Sequence, residues 1–118
     1  MDTTEFVDAV RTQVMGSAVE QVRSTLVAPA GRQPDAEVIA LSKWYSGLAK
    51  EDQEMVLKAL AEASHAAVFG LFAVLDGVKR IDPAEPPGEF ELWYNGKGRR
   101  ARLDGDLHDS LNSEPWHK

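Results

Sequence analysis

Cysteine is absent, which excludes disulfides, thiolate zinc sites and cysteine nucleophiles together. Basic residues are few as well: 13 Lys and Arg against 19 Asp and Glu leave a formal charge of -6. That sign of charge repels a phosphate backbone, so nucleic-acid binding is disfavoured. Long apolar runs are missing too. The longest, residues 66–75 with Gly70 inside it, is about half the roughly 20 residues that cross a bilayer. The first residues hold Asp2 and Glu5 where a secretory signal places basic side chains. The expected location is therefore cytoplasmic, away from membranes.

What is present is the composition of a globular protein: 43% hydrophobic and 27% charged residues over 118 positions, enough for one core and a single domain, 1–118. Phe6, Val10, Val14, Ala18, Val22 and Leu26 fall four apart, which predicts an amphipathic helix over about 3–27, ended by Pro29 and Gly31. Val38, Leu41, Tyr45 and Leu48 give one face of a second helix that opens at Pro34 and stops near Gly47, with Trp44 at the edge of that face. A third helix is expected over about 50–76, capped by Gly77. From Ala63 onward it is apolar at almost every position, and a helix apolar all round is expected to be buried all round. Phe69, Phe72 and Leu75 are the expected core.

Residues 82–88 carry Pro83, Pro86 and Pro87 and read as a stiff extended connector. Alternation then predicts a β-hairpin, with strands over 89–94 and 99–103 and its turn in Asn95-Gly96-Lys97-Gly98. Phe90, Leu92 and Tyr94 are expected to face the helices, and Glu89, Glu91 and Trp93 the other side. A short helical turn within 104–112, with neighbouring acids as its caps, and a loose tail at 113–118 complete the chain. The expected fold class is α+β: a three-helix core with a long buried central helix, then a C-terminal β-hairpin and a short terminal helix.

Chemistry is sparse. His65 follows Glu62 by three positions on the long helix, a spacing that allows a shared face for metal or proton chemistry, although two ligands make a weak site. His108 lies beside Asp109, and adjacent residues do not face each other on a helix. Ser42, Ser46 and Ser64 sit in expected helices without the sharp glycine-flanked turn of a serine nucleophile. The turn at 95–98 lacks the length and ending of a phosphate-binding loop. No metal and no cofactor is expected. Lys97, Arg99, Arg100 and Arg102 concentrate positive charge on the hairpin, and Trp93 is a large aromatic on its polar face, as interface anchors are.

Gly70 and Leu71, the run Val74-Leu75-Asp76-Gly77-Val78, the glycine-led segment from Gly88 to Tyr94, and Leu107-His108-Asp109 together resemble a group of small bacterial proteins of uncharacterised function. The resemblance spans about 41–112 and implies an intracellular bacterial protein, with Asp76 and His108 as the group's polar marks. Small acidic chains of this type are also similar to the immunity partners of bacterial toxins. The function expected first is thus a non-enzymatic protein-interaction domain of the toxin-neutralising kind, whose partner surface holds Trp93, Arg99, Arg100 and Trp44. The alternatives are a self-associating accessory module forming a homo-oligomer, and a small-molecule enzyme or binding domain using Glu62, His65, Asp76 or His108.

Overall fold

The computed structural model of the chain describes residues 1–113. Asp2 opens the first helix with a reciprocal cap, its carboxylate accepting from the Glu5 N–H at 2.8 Å while Glu5 accepts from the Asp2 N–H. That helix runs as α1 (Thr3–Val10), a π-helical segment (Arg11–Gly16) and α2 (Ser17–Val27). The wide segment re-phases the apolar face. Val7, Met15 and Leu26 are buried, whereas Val14 and Val22, members of the expected stripe, are exposed. A strict spacing of four drifts round a regular helix, and the π turn absorbs the drift by carrying Met15 inward.

The second helix, α3 (Ala36–Ser46), starts on Asp35, whose carboxylate caps the Glu37 N–H, so Pro34 precedes the helix instead of opening it. It packs on α2 through Tyr45 and Ser42, the Ser42 hydroxyl donating to the Leu26 carbonyl at 2.8 Å. Leu41 and Trp44 face outward.

The long helix α4 (Lys50–Leu75) ends on Asp76, and Gly77 at φ 78° reverses the chain. Its burial is one-sided, contrary to the expectation from its composition. Phe72, Ala73, Val74 and His65 are buried and Phe69 and Leu75 half-buried, but Leu71 is 55% exposed and Ala63, Ala66 and Ala67 face outward. The helix is apolar all round because its outward side is rich in alanine, and among the described residues no element covers that side. By length and composition α4 is the one helix among the described residues able to cross a membrane. The short-run reading missed this because regular helix continues upstream of Ala66 through further alanines and leucines.

The hairpin is shorter than expected. Strand β1 (Trp93–Gly96) pairs antiparallel with β2 (Arg99–Arg102), Trp93 opposite Arg102 and Tyr94 opposite Ala101, and the turn is Lys97-Gly98, with Gly98 at φ 66°. Past Leu103 the opposing chain turns away at Gly105 (φ 127°) to enter α5 (Leu107–Asn112), which leaves residues 89–91 nothing to pair with. Leu92 alone of the three expected inward residues packs on the core; Phe90 and Tyr94 are exposed.

The core joins Val7, Met15, Phe72, Leu107 and Leu111, so α5, although only six residues long, is central to it. Hence the architecture is α+β, with a helical core to which α5 and the hairpin stem are joined. Thr3 ties the hairpin to α1 by donating its hydroxyl to the Leu103 carbonyl at 2.9 Å. The expected tail lies, apart from Ser113, outside the described residues.

Candidate functional site

Two places gather the polar and aromatic residues singled out by sequence. The first is the mouth of α5. Asp76 stands at the carboxyl end of α4, where a negative charge is unfavourable to the helix dipole. It stays there because it serves another helix. Its side chain is 0% exposed and accepts the Gly105 N–H at 2.6 Å, the His108 N–H at 2.9 Å and the His108 Nδ1–H at 2.5 Å. Burial pushes this carboxyl up, but the bonds from the His108 ring and from the backbone of His108, Gly105 and Leu107 outweigh it and hold it below its ordinary value. Asp76 therefore caps α5 from across the fold. The nearby acids were expected to do this, yet Asp106, at the cap position, makes no side-chain capping bond. Asp104 is used elsewhere, bonding the Leu92 N–H and forking with Arg102.

The opposite end of α5 is held by Arg11. Its Nη2 donates to the Ser110 and Leu111 carbonyls at 2.7 and 3.1 Å, and its Nη1 pairs with Asp8. Sequence reading passed over Arg11, though a signal existed: it lies on the Val7, Arg11, Met15 line, an arginine in the middle of a buried row. The first π-helical residue is thus the one that reaches α5.

The Asp76–His108 pair has the outline of a carboxylate-oriented base. Its chemistry is limited by what surrounds it. The carboxylate is committed to backbone N–H groups, and among the described residues the His108 ring bonds only Asp76, with Asp109 at 3.5 Å from Nε2. The Phe69 ring stands edge-on to His108 at 5.8 Å and stacks with His65 at 6.2 Å. His65 is buried while Glu62, three positions before it, is exposed. Among the described residues no three His, Asp or Glu side chains converge to hold a metal.

The second place is the hairpin. Trp93 is 37% exposed; its Nε1–H donates to Glu91 at 2.8 Å, and the Arg100 guanidinium lies 4.2 Å from its ring centre. Arg102 pairs with Asp104 and approaches Glu91 at 3.8 Å. Beside this cluster Phe6, Val10, Val14, Leu92, Trp93 and Tyr94 line an apolar groove of about 340 Å³ between α1 and β1. Arg99, opposite Gly96 at the turn end, and Trp44, on α3, do not line it. A second cavity, of about 490 Å³, lies between the end of α4 and the connector, bordered by Asp76, Arg80, Asp82, Phe90, Arg102 and Asp104. His108 lines neither.

Comparison with protein-family models, with curated proteins and with solved structures found no match to the chain. The site residues consequently take their roles from geometry alone.

Proposed function

We propose that the chain is a non-enzymatic protein-interaction module whose recognition surface is the apolar groove between α1 and the hairpin. The observation that carries this reading is Trp93. It is kept partly open at the rim of the groove, yet fixed by Glu91 on one side and Arg100 on the other, so it presents a large aromatic at little entropic cost. The backbone hydrogen bonds that Asp76 accepts and its bond to the His108 ring support a structural part for that pair, and His108 does not line the cavity beside Asp76. A toxin-neutralising role draws on the charge of -6, which speeds encounter with a basic partner while the groove supplies the apolar contact.

Selection of a displayed peptide library against the full chain tests the proposal. Recovered peptides should be rich in apolar anchors and should lose binding to Trp93→Ala and Val14→Glu proteins that keep the wild-type circular dichroism. Peptides that bind both variants as well as the wild type would place recognition elsewhere.

A further inference from the structure

We infer that the partner binds as an added β-strand, an extended segment alternating acidic and apolar residues that pairs antiparallel with the open edge of β1; this rests on the hairpin groove being the recognition surface. The hydrogen-bond pattern of the hairpin carries it. The Leu103 N–H donates to the Leu92 carbonyl at 2.8 Å, so these two residues oppose each other as a bonded pair. In an antiparallel ladder bonded and unbonded pairs alternate, which makes Tyr94 with Ala101, and Gly96 with Arg99, the next bonded pairs. Trp93 and Asn95 therefore turn their N–H and carbonyl groups away from β2. Among the described residues nothing pairs with these four groups, and the sheet has no third strand.

The two edges of the sheet differ. On β2 the residues with outward main-chain groups are Arg100 and Arg102, and charged side chains are one way an edge resists a further strand. Strand β1 reads Trp93-Tyr94-Asn95-Gly96, without charge or proline, and Trp93, Tyr94 and Asn95 are exposed. Its edge is unguarded. The Trp93 ring is drawn toward β2 by Arg100, 4.2 Å from the ring centre, and the Tyr94 ring lies back over Gly96, where a Cβ would meet it at 2.7 Å. Both large side chains thus leave the edge clear, and glycine at 96 is what permits the second placement.

The open main-chain groups select an extended backbone, and the two sides of the edge select its side chains. A residue set opposite Tyr94 shares its side of the sheet, where Phe6, Val10 and Leu92 line the groove of about 340 Å³. That position takes an apolar residue. Its two neighbours, opposite Trp93 and Asn95, lie on the other side, beside Arg100. Among the described residues no carboxylate pairs with Arg100, Arg99 or Lys97, whereas Arg102 is already taken by Asp104. Those two positions take acids. The net charge of -6 acts on a partner at encounter distance, but at contact the hairpin's own cations are the nearest charges.

Fluorescence anisotropy of the peptide Thr-Val-Glu-Leu-Glu-Val-Thr, labelled at its amino end and amidated, tests this against the full chain. With the central Leu opposite Tyr94, both Glu N–H groups point at β1 and the Leu N–H points away. Methylating the two Glu nitrogens should weaken binding about ten-fold or more, and methylating the Leu nitrogen should leave it within about two-fold. Replacing both Glu by Lys should weaken it several-fold, and Arg100→Glu should narrow that difference. In the bound chain the Trp93 and Asn95 amides should gain protection from hydrogen exchange, while those of Tyr94 and Gly96, already bonded to β2, change little. Binding that is lost in Val14→Glu but indifferent to Glu methylation keeps the groove and overturns the added strand. No binding at millimolar peptide overturns it too, and the library selection then judges the groove separately. So does a wild-type dimer whose sedimentation mass is halved by Asn95→Pro, which removes an N–H that the hairpin does not use and would give the edge to a second copy.

Discussion

Asp76 and Arg11 hold opposite ends of α5, the carboxylate at its first N–H groups and the guanidinium at its last carbonyls. Each charge matches the pole of the helix dipole that it meets. A six-residue helix is far too short to be stable alone, so these two long-range caps and the burial of Leu107 and Leu111 are what fix it. The first prediction is therefore that Asp76→Ala lowers stability by about 1 to 3 kcal/mol, since it takes the carboxylate away from the Gly105 and His108 N–H donors. Urea denaturation measures it, and a midpoint equal to the wild type would show that water replaces the carboxylate.

The pH dependence has a definite sign. The folded Asp76 carboxyl lies below its ordinary value of about 4, so it contributes stability fully present above that value and lost as pH falls through the lower, folded one. The margin of wild type over Asp76→Asn should be constant near neutrality and shrink on acidification below about pH 4. Thermal midpoints of both proteins between neutral and acid pH check this. A margin that grows on acidification contradicts the assignment.

Arg11→Met keeps much of the buried stem and removes the charge-assisted bonds to Ser110 and Leu111. The expected loss is about 1.5 to 3 kcal/mol. Hydrogen exchange localises it: relative to the wild type, exchange should quicken at the amides of α5, whose carbonyls Arg11 binds, more than at those of α3.

Much of the fold was legible in the sequence because apolar periodicity and glycine or proline stops are local. The boundaries of α4, including the Gly77 reversal, follow from that. Composition misled where it was taken for burial. Alanine makes α4 apolar all round without demanding a neighbour, so Leu71, Ala66 and Ala67 remain outside. The hairpin strands were read too long on the Phe90 side because alternation cannot tell that the opposing chain leaves at Gly105. The pairing of Asp76 with His108 spans 32 positions, beyond any spacing rule, although an acid at a helix carboxyl end was a visible local conflict. Trp93 was legible as an exposed aromatic; its clamp by Arg100 depended on the strand register.

Burial separates two phenylalanines, Phe72 on α4 and Phe90 ahead of β1, that the sequence pattern places inside together. Phe72 is 2% exposed at the centre of the core and touches the Phe6 ring at 6.0 Å. Phe72→Ala should cost about 3 to 5 kcal/mol, a large share of a small domain's stability. Phe90, expected inside but found exposed, should lose no more than about 1 kcal/mol as Phe90→Ala. Equal losses would mean that residues 89–92 pack inward in solution.

The last prediction concerns the clamp on Trp93. Arg100 over the indole and Glu91 at its Nε1 act on different parts of one side chain, so their effects on Trp93 are separable. A double-mutant cycle between Trp93→Leu and Arg100→Gln should give a coupling of about 0.5 to 1 kcal/mol in folding stability, as exposed cation–π contacts do. Glu91→Gln keeps an acceptor for the indole N–H and should leave that coupling unchanged, while weakening the attraction toward Arg102. Indole fluorescence gives an independent readout. Removing the guanidinium should raise quencher access to Trp93, and a Trp44→Phe, Trp116→Phe background leaves Trp93 as the one tryptophan of the sequence, so the signal is its own. Zero coupling together with unchanged quenching would mean that Arg100 does not rest on the ring in solution, and that Trp93 is held by Glu91 and the groove alone.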